Sequence, residues 1–271
     1  MKLVVAVLAG ALGATSALAA DLPARTYTKA PVMVDPGYNW SGFYIGGNVG
    51  YSWGRSNDTS TLTNTAGTTL FTTAGGANLD GVVGGGQIGY NWQIQNWVWG
   101  LEADIQGTDE RGSRDLTCPI GTCTPPIVGA AVVPGGAVPI SLDQKIDWFG
   151  TVRGRVGVLA TPRVLFYATG GLAYGEVSSN ETIATTSFSN SETLVGYTVG
   201  AGIEGAIGGN WTAKLEYLYV DLGLTTGPFA TTIPALGGGT LTSSYSSHVT
   251  DNILRVGLNY RFNSGPVVAR Y

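Results

Sequence analysis

From Leu254 to Phe262 the chain alternates without a break. Leu254, Val256, Leu258, Tyr260 and Phe262 fall on one side, and Arg255, Gly257, Asn259 and Arg261 on the other. Successive side chains of a β-strand point to opposite faces, so this stretch is a two-faced ribbon, apolar and aromatic on one side and charged on the other. A helix would scatter both sets around its surface. The pattern recurs along the chain and gives eight candidate strands, at 43–53, 82–94, 97–108, 145–159, 164–177, 193–207, 211–222 and 249–262. Each is near or above the ~9 to 11 residues that a tilted membrane strand needs.

Composition decides which solvent these ribbons face. Charged residues are 12% of the chain, against roughly 25% in soluble domains, too few to coat a water-soluble barrel. After the leader no segment approaches the ~20 apolar residues of a membrane helix. Lipid tolerates only helices and closed barrels, because unpaired backbone groups are too costly there. The predicted fold is therefore all-β: an eight-stranded, antiparallel, up-and-down transmembrane β-barrel.

The connections point the same way. Gln95-Asn96, Thr161-Pro162-Arg163 and Gly208-Gly209-Asn210 read as tight turns, and 54–81, 109–144, 178–192 and 223–248 as long loops rich in Thr, Ser, Gly and Pro. Short periplasmic turns alternating with long extracellular loops are the habit of outer-membrane barrels. An even strand count then puts both ends in the periplasm.

The first residues read as a secretory signal: Lys2, an apolar run, then Ala17-Leu18-Ala19 before the cut. The expected organisation is a signal peptide at 1–19, a periplasmic segment at 20–40, the barrel at 41–262 and a tail at 263–271. Losing Lys2 takes the net charge from −4 to about −5, which argues against nucleic acid as a partner. Cys118 and Cys123, with four residues between them, read as a disulfide that staples a loop in an oxidising compartment. With one histidine in the chain, the four ligands of a structural zinc site cannot be assembled, and no cofactor is expected.

Trp92, Trp97 and Trp99 flank the first tight turn, Trp211 follows the third, and Tyr260 and Phe262 close the last strand. Aromatics gathered there read as a girdle at the periplasmic interface. The polar faces carry Glu102 and Asp104, Arg153 and Arg155, Glu204, Lys214 and Glu216, and Arg255 with Arg261, so that acidic and basic strands alternate. An eight-stranded barrel is just wide enough for side chains to fill it. These charges are expected to pair across the lumen and close it. The other reading makes Arg153, Arg155, Glu102 and Glu216 the constriction of a narrow pore.

Catalytic signals are weak, and no enzyme is expected. Ser246 and His248 share a face as a nucleophile and base would, but the sequence marks no third, orienting acid. Gly84-Gly85-Gly86 is followed by no Gly-Lys-Ser/Thr and no helix, so it reads as room for a bending strand rather than a phosphate loop.

Several blocks carry a resemblance. The stretch from Trp40-Ser41-Gly42-Phe43-Tyr44-Ile45-Gly46-Gly47 to Tyr51, together with Gly86-Gln87-Ile88-Gly89-Tyr90-Asn91-Trp92, Gly170-Gly171-Leu172-Ala173-Tyr174, the run from Lys214 to Gly223, and Arg255 to Phe262, resembles the small outer-membrane β-barrels of alphaproteobacteria, the outer-membrane immunogenic or porin-family proteins. The resemblance implies residence in the bacterial outer membrane among lipid and lipopolysaccharide. It also implies recognition by the barrel assembly machinery, and surface loops that meet host molecules in a pathogen or symbiont. Members usually end on the aromatic of the last strand; here 263–270 intervene before Tyr271, so either Phe262 or Tyr271 serves as the assembly signal. The mature start, Ala20-Asp21, is either a plain lead-in or, as the resemblance implies, a peptidoglycan attachment point through the Ala20 amine. A closed barrel needs no partner for its edges, so a monomer is expected.

Overall fold

The computed structural model describes residues 38–63, 69–118, 138–183, 186–231 and 241–262. Among them the regular elements are eight antiparallel strands: β1 (Gly42–Thr63), β2 (Thr69–Ile94), β3 (Trp97–Cys118), β4 (Val138–Thr161), β5 (Val164–Ile183), β6 (Thr186–Gly208), β7 (Trp211–Thr231) and β8 (Leu241–Phe262). Each pairs with its neighbour in sequence, and β1 pairs with β8 from Phe43↔Phe262 to Thr63↔Thr242, so the sheet closes on itself. Closure leaves no edge unpaired within the ring, and the outermost pairs are Asp80↔Arg111 between β2 and β3 and Tyr197↔Asp221 between β6 and β7.

The faces divide as the alternation requires. On β8, Arg255 is 1% exposed while Leu254 between its neighbours is 45% exposed. Leu101, Leu172 and Val195, on three other strands, stand outward as well. An outer wall this apolar is unstable in water and suited to hydrocarbon.

The periplasmic end is tied together by backbone. Leu159 N–H donates to Asn96 O (2.8 Å), Ala206 N–H to Arg163 O (2.9 Å) and Arg261 N–H to Asn210 O (2.9 Å), so each tight turn is bonded to the strand beside it. Gln95, at φ 55°, and Gly209, at φ 53°, supply the left-handed residues of two of these turns.

At the opposite end the structure corrects the reading of the loops. Strands run 20 to 26 residues, and much of what reads as loop is paired. The β1–β2 ladder continues from Gly54↔Leu79 out to Leu62↔Phe71. The β3–β4 ladder reaches Cys118↔Val138, and the β7–β8 ladder reaches Thr231↔Leu241. Beyond the membrane the outer face of a strand meets water, and the inner face carries polar residues such as Ser56, Gln144 and Ser247 even where it is buried. Thr, Ser and Gly then serve either side, and the alternation of hydrophobicity disappears while the hydrogen bonding continues. Cys123, the Cys118 side chain, Ala20 and the 263–271 tail lie outside the described residues.

Candidate functional site

Among the described residues, buried polar side chains concentrate in the interior of the barrel. It is built in layers from the periplasmic end.

The mouth is closed by residues just ahead of β1. Trp40 is fully buried. Its backbone N–H donates to Gln93 Oε1 (2.8 Å) and its indole N–H to the Pro162 carbonyl (3.2 Å), joining β2 to the β4–β5 turn. The Tyr38 ring packs edge-on against it at 5.0 Å between centroids. The Arg261 guanidinium lies 4.4 Å from the Tyr38 ring centroid and 5.7 Å from that of Trp40, a cation held by aromatic faces rather than by a carboxylate. Burial raises the Tyr38 phenol above its ordinary pKa, and the Arg261 charge opposes that rise.

Above this cap, Arg155 donates to Glu204 Oε2 (2.6 Å) and to the Tyr44 hydroxyl (3.2 Å), and lies 4.1 Å from the centroid of the Tyr167 ring. Glu204 also accepts from Thr212 (2.5 Å) and Asn259 (3.0 Å). Asn259 accepts in turn from Gln87 (2.6 Å), which accepts from Asn48 (2.6 Å).

The next layer centres on Arg153. Its guanidinium donates to Glu102, to Asp104 Oδ2 (2.9 Å), to Glu216 Oε1 (3.1 Å) and to Thr151 (2.9 Å). Arg255 bonds Glu216 Oε2 (2.7 Å) and Asp104 Oδ2 (2.9 Å). Lys214 reaches Glu102 Oε1 at 3.0 Å, and the hydroxyls of Tyr44 and Tyr167 donate to Glu102 (2.6 Å) and Glu216 (2.9 Å). Glu102, Asp104, Arg153, Arg155, Glu204, Lys214, Glu216 and Arg255 are all buried and belong to one network, whereas Arg261 stands outside it among the aromatics of the cap.

That network also depends on Asn259, which the alternation puts on the polar face of β8, and on Tyr44, Tyr167, Thr151, Thr212 and Gln87, which sequence reasoning passed over. Strand parity could have found them. Tyr44 lies between the outward Phe43 and Ile45, and Gln87 is buried beside the outward Ile88. Glycine makes room for the rings: a Cβ at Gly202 would come within 2.6 Å of the Tyr167 hydroxyl.

The extracellular half of the lumen differs from the expectation of a polar interior. It is packed mainly by Leu79, Val83, Ile146, Phe149, Ala173, Val177, Leu194, Leu218, Val220, Leu222, Val249 and Ile253 in one cluster, with Ser52, Glu110 and Asp251 buried among them. On β7 the inward row changes from Lys214 and Glu216 to Leu218 and Val220 while the outward row stays apolar. The interior therefore holds an ion-paired plug below and a mainly apolar one above.

Outside, Trp92, Trp97, Trp99, Trp211 and Phe262 are exposed, and rings stack from Trp211 to Tyr260 (5.2 Å) and Tyr260 to Phe262 (5.3 Å). A second belt, not foreseen, lies toward the other end: Trp53 with Tyr217, Tyr197 with Tyr219, and Trp148 with Tyr174. The two belts bracket an apolar band in the manner of membrane barrels.

His248 does have an acid beside it. Its Nε2 is 2.9 Å from Asp221 Oδ1, which also accepts from Gly223 N–H (2.8 Å) where the β7–β8 register slips between Asp221 and Leu224. Gly223 there has φ 80°. Among the described residues no hydrogen bond joins Ser246 to His248.

The sequence profile of the outer membrane protein beta-barrel domain matches residues 5–262. The chain is 39% identical over 277 residues to the 31 kDa outer-membrane immunogenic protein of Brucella melitensis, covering 97% of this chain and 100% of that protein. It is 32% identical over 194 residues to the 22 kDa outer membrane protein of Rhizobium leguminosarum, covering 71% and 68%. Among solved structures, the outer membrane protein OprG from Pseudomonas aeruginosa aligns over 83% of this chain and 99% of its own, at 13% identity and a TM-score of 0.46.

Proposed function

Because the chain belongs to the outer-membrane β-barrel family and resides in the bacterial outer membrane, we propose that it works as a closed structural barrel, which stabilises the envelope and holds its extracellular hairpins out for contact with host or environment. The observation that carries this reading is the doubly filled lumen. An ion-paired layer, an apolar layer and the Trp40 cap lie in series. Open aqueous channels belong to much larger barrels, and rigid scaffolds present their contacts on the segments beyond the wall.

Under this reading catalysis has no part. Asp221 and His248 strap the irregular turn of β7 to β8 instead of activating a nucleophile. The envelope role extends to the periplasm, where the Ala20 amine is a candidate for an acyl bond to peptidoglycan; sacculus digests lacking an Ala20 peptide joined to a muropeptide would remove that extension.

The central test is single-channel recording of the refolded barrel, residues 20–271, beside an Arg153→Ala variant. Silence from folded wild-type protein is expected. Steady openings whose conductance changes with the substitution would overturn the closed reading and make the lumen a pore for ions or small solutes.

A further inference from the structure

Each buried carboxylate of the periplasmic network has a cation beside it; two carboxylates further out do not. Glu110 lies on β3 at the irregularity between Gly107 and Glu110 in the β3–β4 ladder. It is fully buried, and no hydrogen bond of regular geometry reaches its carboxylate oxygens, the hydroxyls of Ser52 and Thr108 being the polar side chains beside it. Asp251, on β8, is 4% exposed and accepts a hydrogen bond from the Ser52 hydroxyl of β1.

Register brings the three together. Ser52 lies opposite Gly81 of β2, and the position a Cβ would take at Gly81 is 2.6 Å from the Glu110 nitrogen. With no side chain at 81, Ser52 and Glu110 face one another across the bare backbone of β2, while Asp251 approaches Ser52 from the opposite neighbour, β8. The charged neighbours acting on Glu110 are Asp251 and Asp80, both acidic. Among the described residues no lysine or arginine forms an ion pair with Glu110 or Asp251.

Two carboxylates in a closed interior persist as anions only with a compensating positive charge. The groups at hand are the Glu110 carboxylate, the Asp251 carboxylate and the Ser52 oxygen, whose own proton is directed at Asp251. This all-oxygen set is the chemistry of hard divalent cations. We propose that Glu110, Asp251 and Ser52 form a binding site for a divalent cation, calcium or magnesium, in the extracellular half of the lumen. No three acidic, histidine or cysteine side chains converge among the described residues, so affinity falls in the weak class of extracellular sites, about 10⁻⁴ to 10⁻³ M. An ion here joins β8 and β1, the two strands of the closing seam, to β3.

The test is calcium titration of the folded barrel in a zwitterionic detergent, by calorimetry and by the midpoint of urea unfolding. Wild type is expected to bind one ion and to unfold at higher urea when loaded. Glu110→Gln, which preserves shape, is expected to weaken binding at least tenfold, as is Asp251→Asn on the far side of the seam. Binding undiminished in both variants would place the ion on exposed acids such as Asp109 or Asp147 and overturn the site. Wild type that binds no calcium and is stabilised by mild acid alone would overturn it too, because a proton would then neutralise the pair.

Discussion

The two halves of the lumen lie on the same strands and are packed by different chemistry, one by ion pairs and the other mainly by apolar side chains. Toward the periplasm, Arg153, Arg255 and Lys214 share Glu102, Asp104 and Glu216 between them. Toward the outside, Leu218, Ile253, Phe149 and their neighbours form an apolar core. Apolar packing fills space without regard to direction, whereas charged hydrogen bonds act only at specific distances and angles. The lower half can therefore specify register around the ring, and the upper half supplies packing that tolerates exchange. Truncations in the two halves should fail in different ways.

The largest effect is expected at Arg153. Arg153→Ala leaves Glu102, Asp104 and Glu216 short of a shared cation in a closed interior, and breaking a buried pair in this way costs about 3–5 kcal/mol. Arg153→Met, which restores volume but not charge, should recover little of it. Urea unfolding followed by the loss of heat-modifiable mobility on gels measures both. Near-normal stability in Arg153→Met would mean that the polar half also acts by filling space, and the contrast would collapse.

Leu218→Ala probes the other half and should cost about 2–5 kcal/mol, according to how far the cavity collapses. Leu218→Met should be nearly silent, below about 1.5 kcal/mol. That tolerance, set against the intolerance at Arg153, is the sharpest form of the comparison.

The two halves were also unequally legible in the sequence. The charged inward row on β3, β4, β7 and β8 stands out against apolar outward neighbours, so Glu102, Arg153, Glu216 and Arg255 could be named without a structure. Their partners could not be. Lys214 and Glu102 are 112 residues apart and Arg155 and Glu204 49 apart, and which groups meet depends on the stagger of the closed sheet. The apolar half was hidden for a different reason: in Tyr217-Leu218-Tyr219-Val220 both faces are apolar, so alternation does not say which side is inward. The extended hairpins were hidden because both of their faces are polar. Trp40 read as part of a periplasmic segment, and its burial comes from contacts with Gln93 and Pro162, 53 and 122 residues away.

A smaller effect should distinguish fill from direction inside the polar half itself. Tyr167→Phe keeps the ring under Arg155 and deletes only the hydroxyl that donates to Glu216. The loss should be about 1–3 kcal/mol, the usual result of leaving a buried charged acceptor one donor short. If stability is unchanged, the three cations around Glu216 satisfy it by themselves and the tyrosine serves as packing.

The smallest effect is expected outside the lumen, at the Asp221–His248 strap. His248 keeps 40% of its side chain exposed, so solvent screens the pair, and its contribution should stay within about 1 kcal/mol. His248→Ala should leave unfolding of both interior halves almost unchanged while increasing hydrogen exchange at Gly223 and Leu224, where β7 slips register against β8. Asp221→Asn, which keeps an acceptor for the Gly223 N–H, should loosen that corner less. If His248→Ala instead destabilised the whole barrel by several kcal/mol, the strap would be part of the fold's cooperative core. The boundary between the packed lumen and the hairpins beyond it would then lie further out than the apolar cluster reaches.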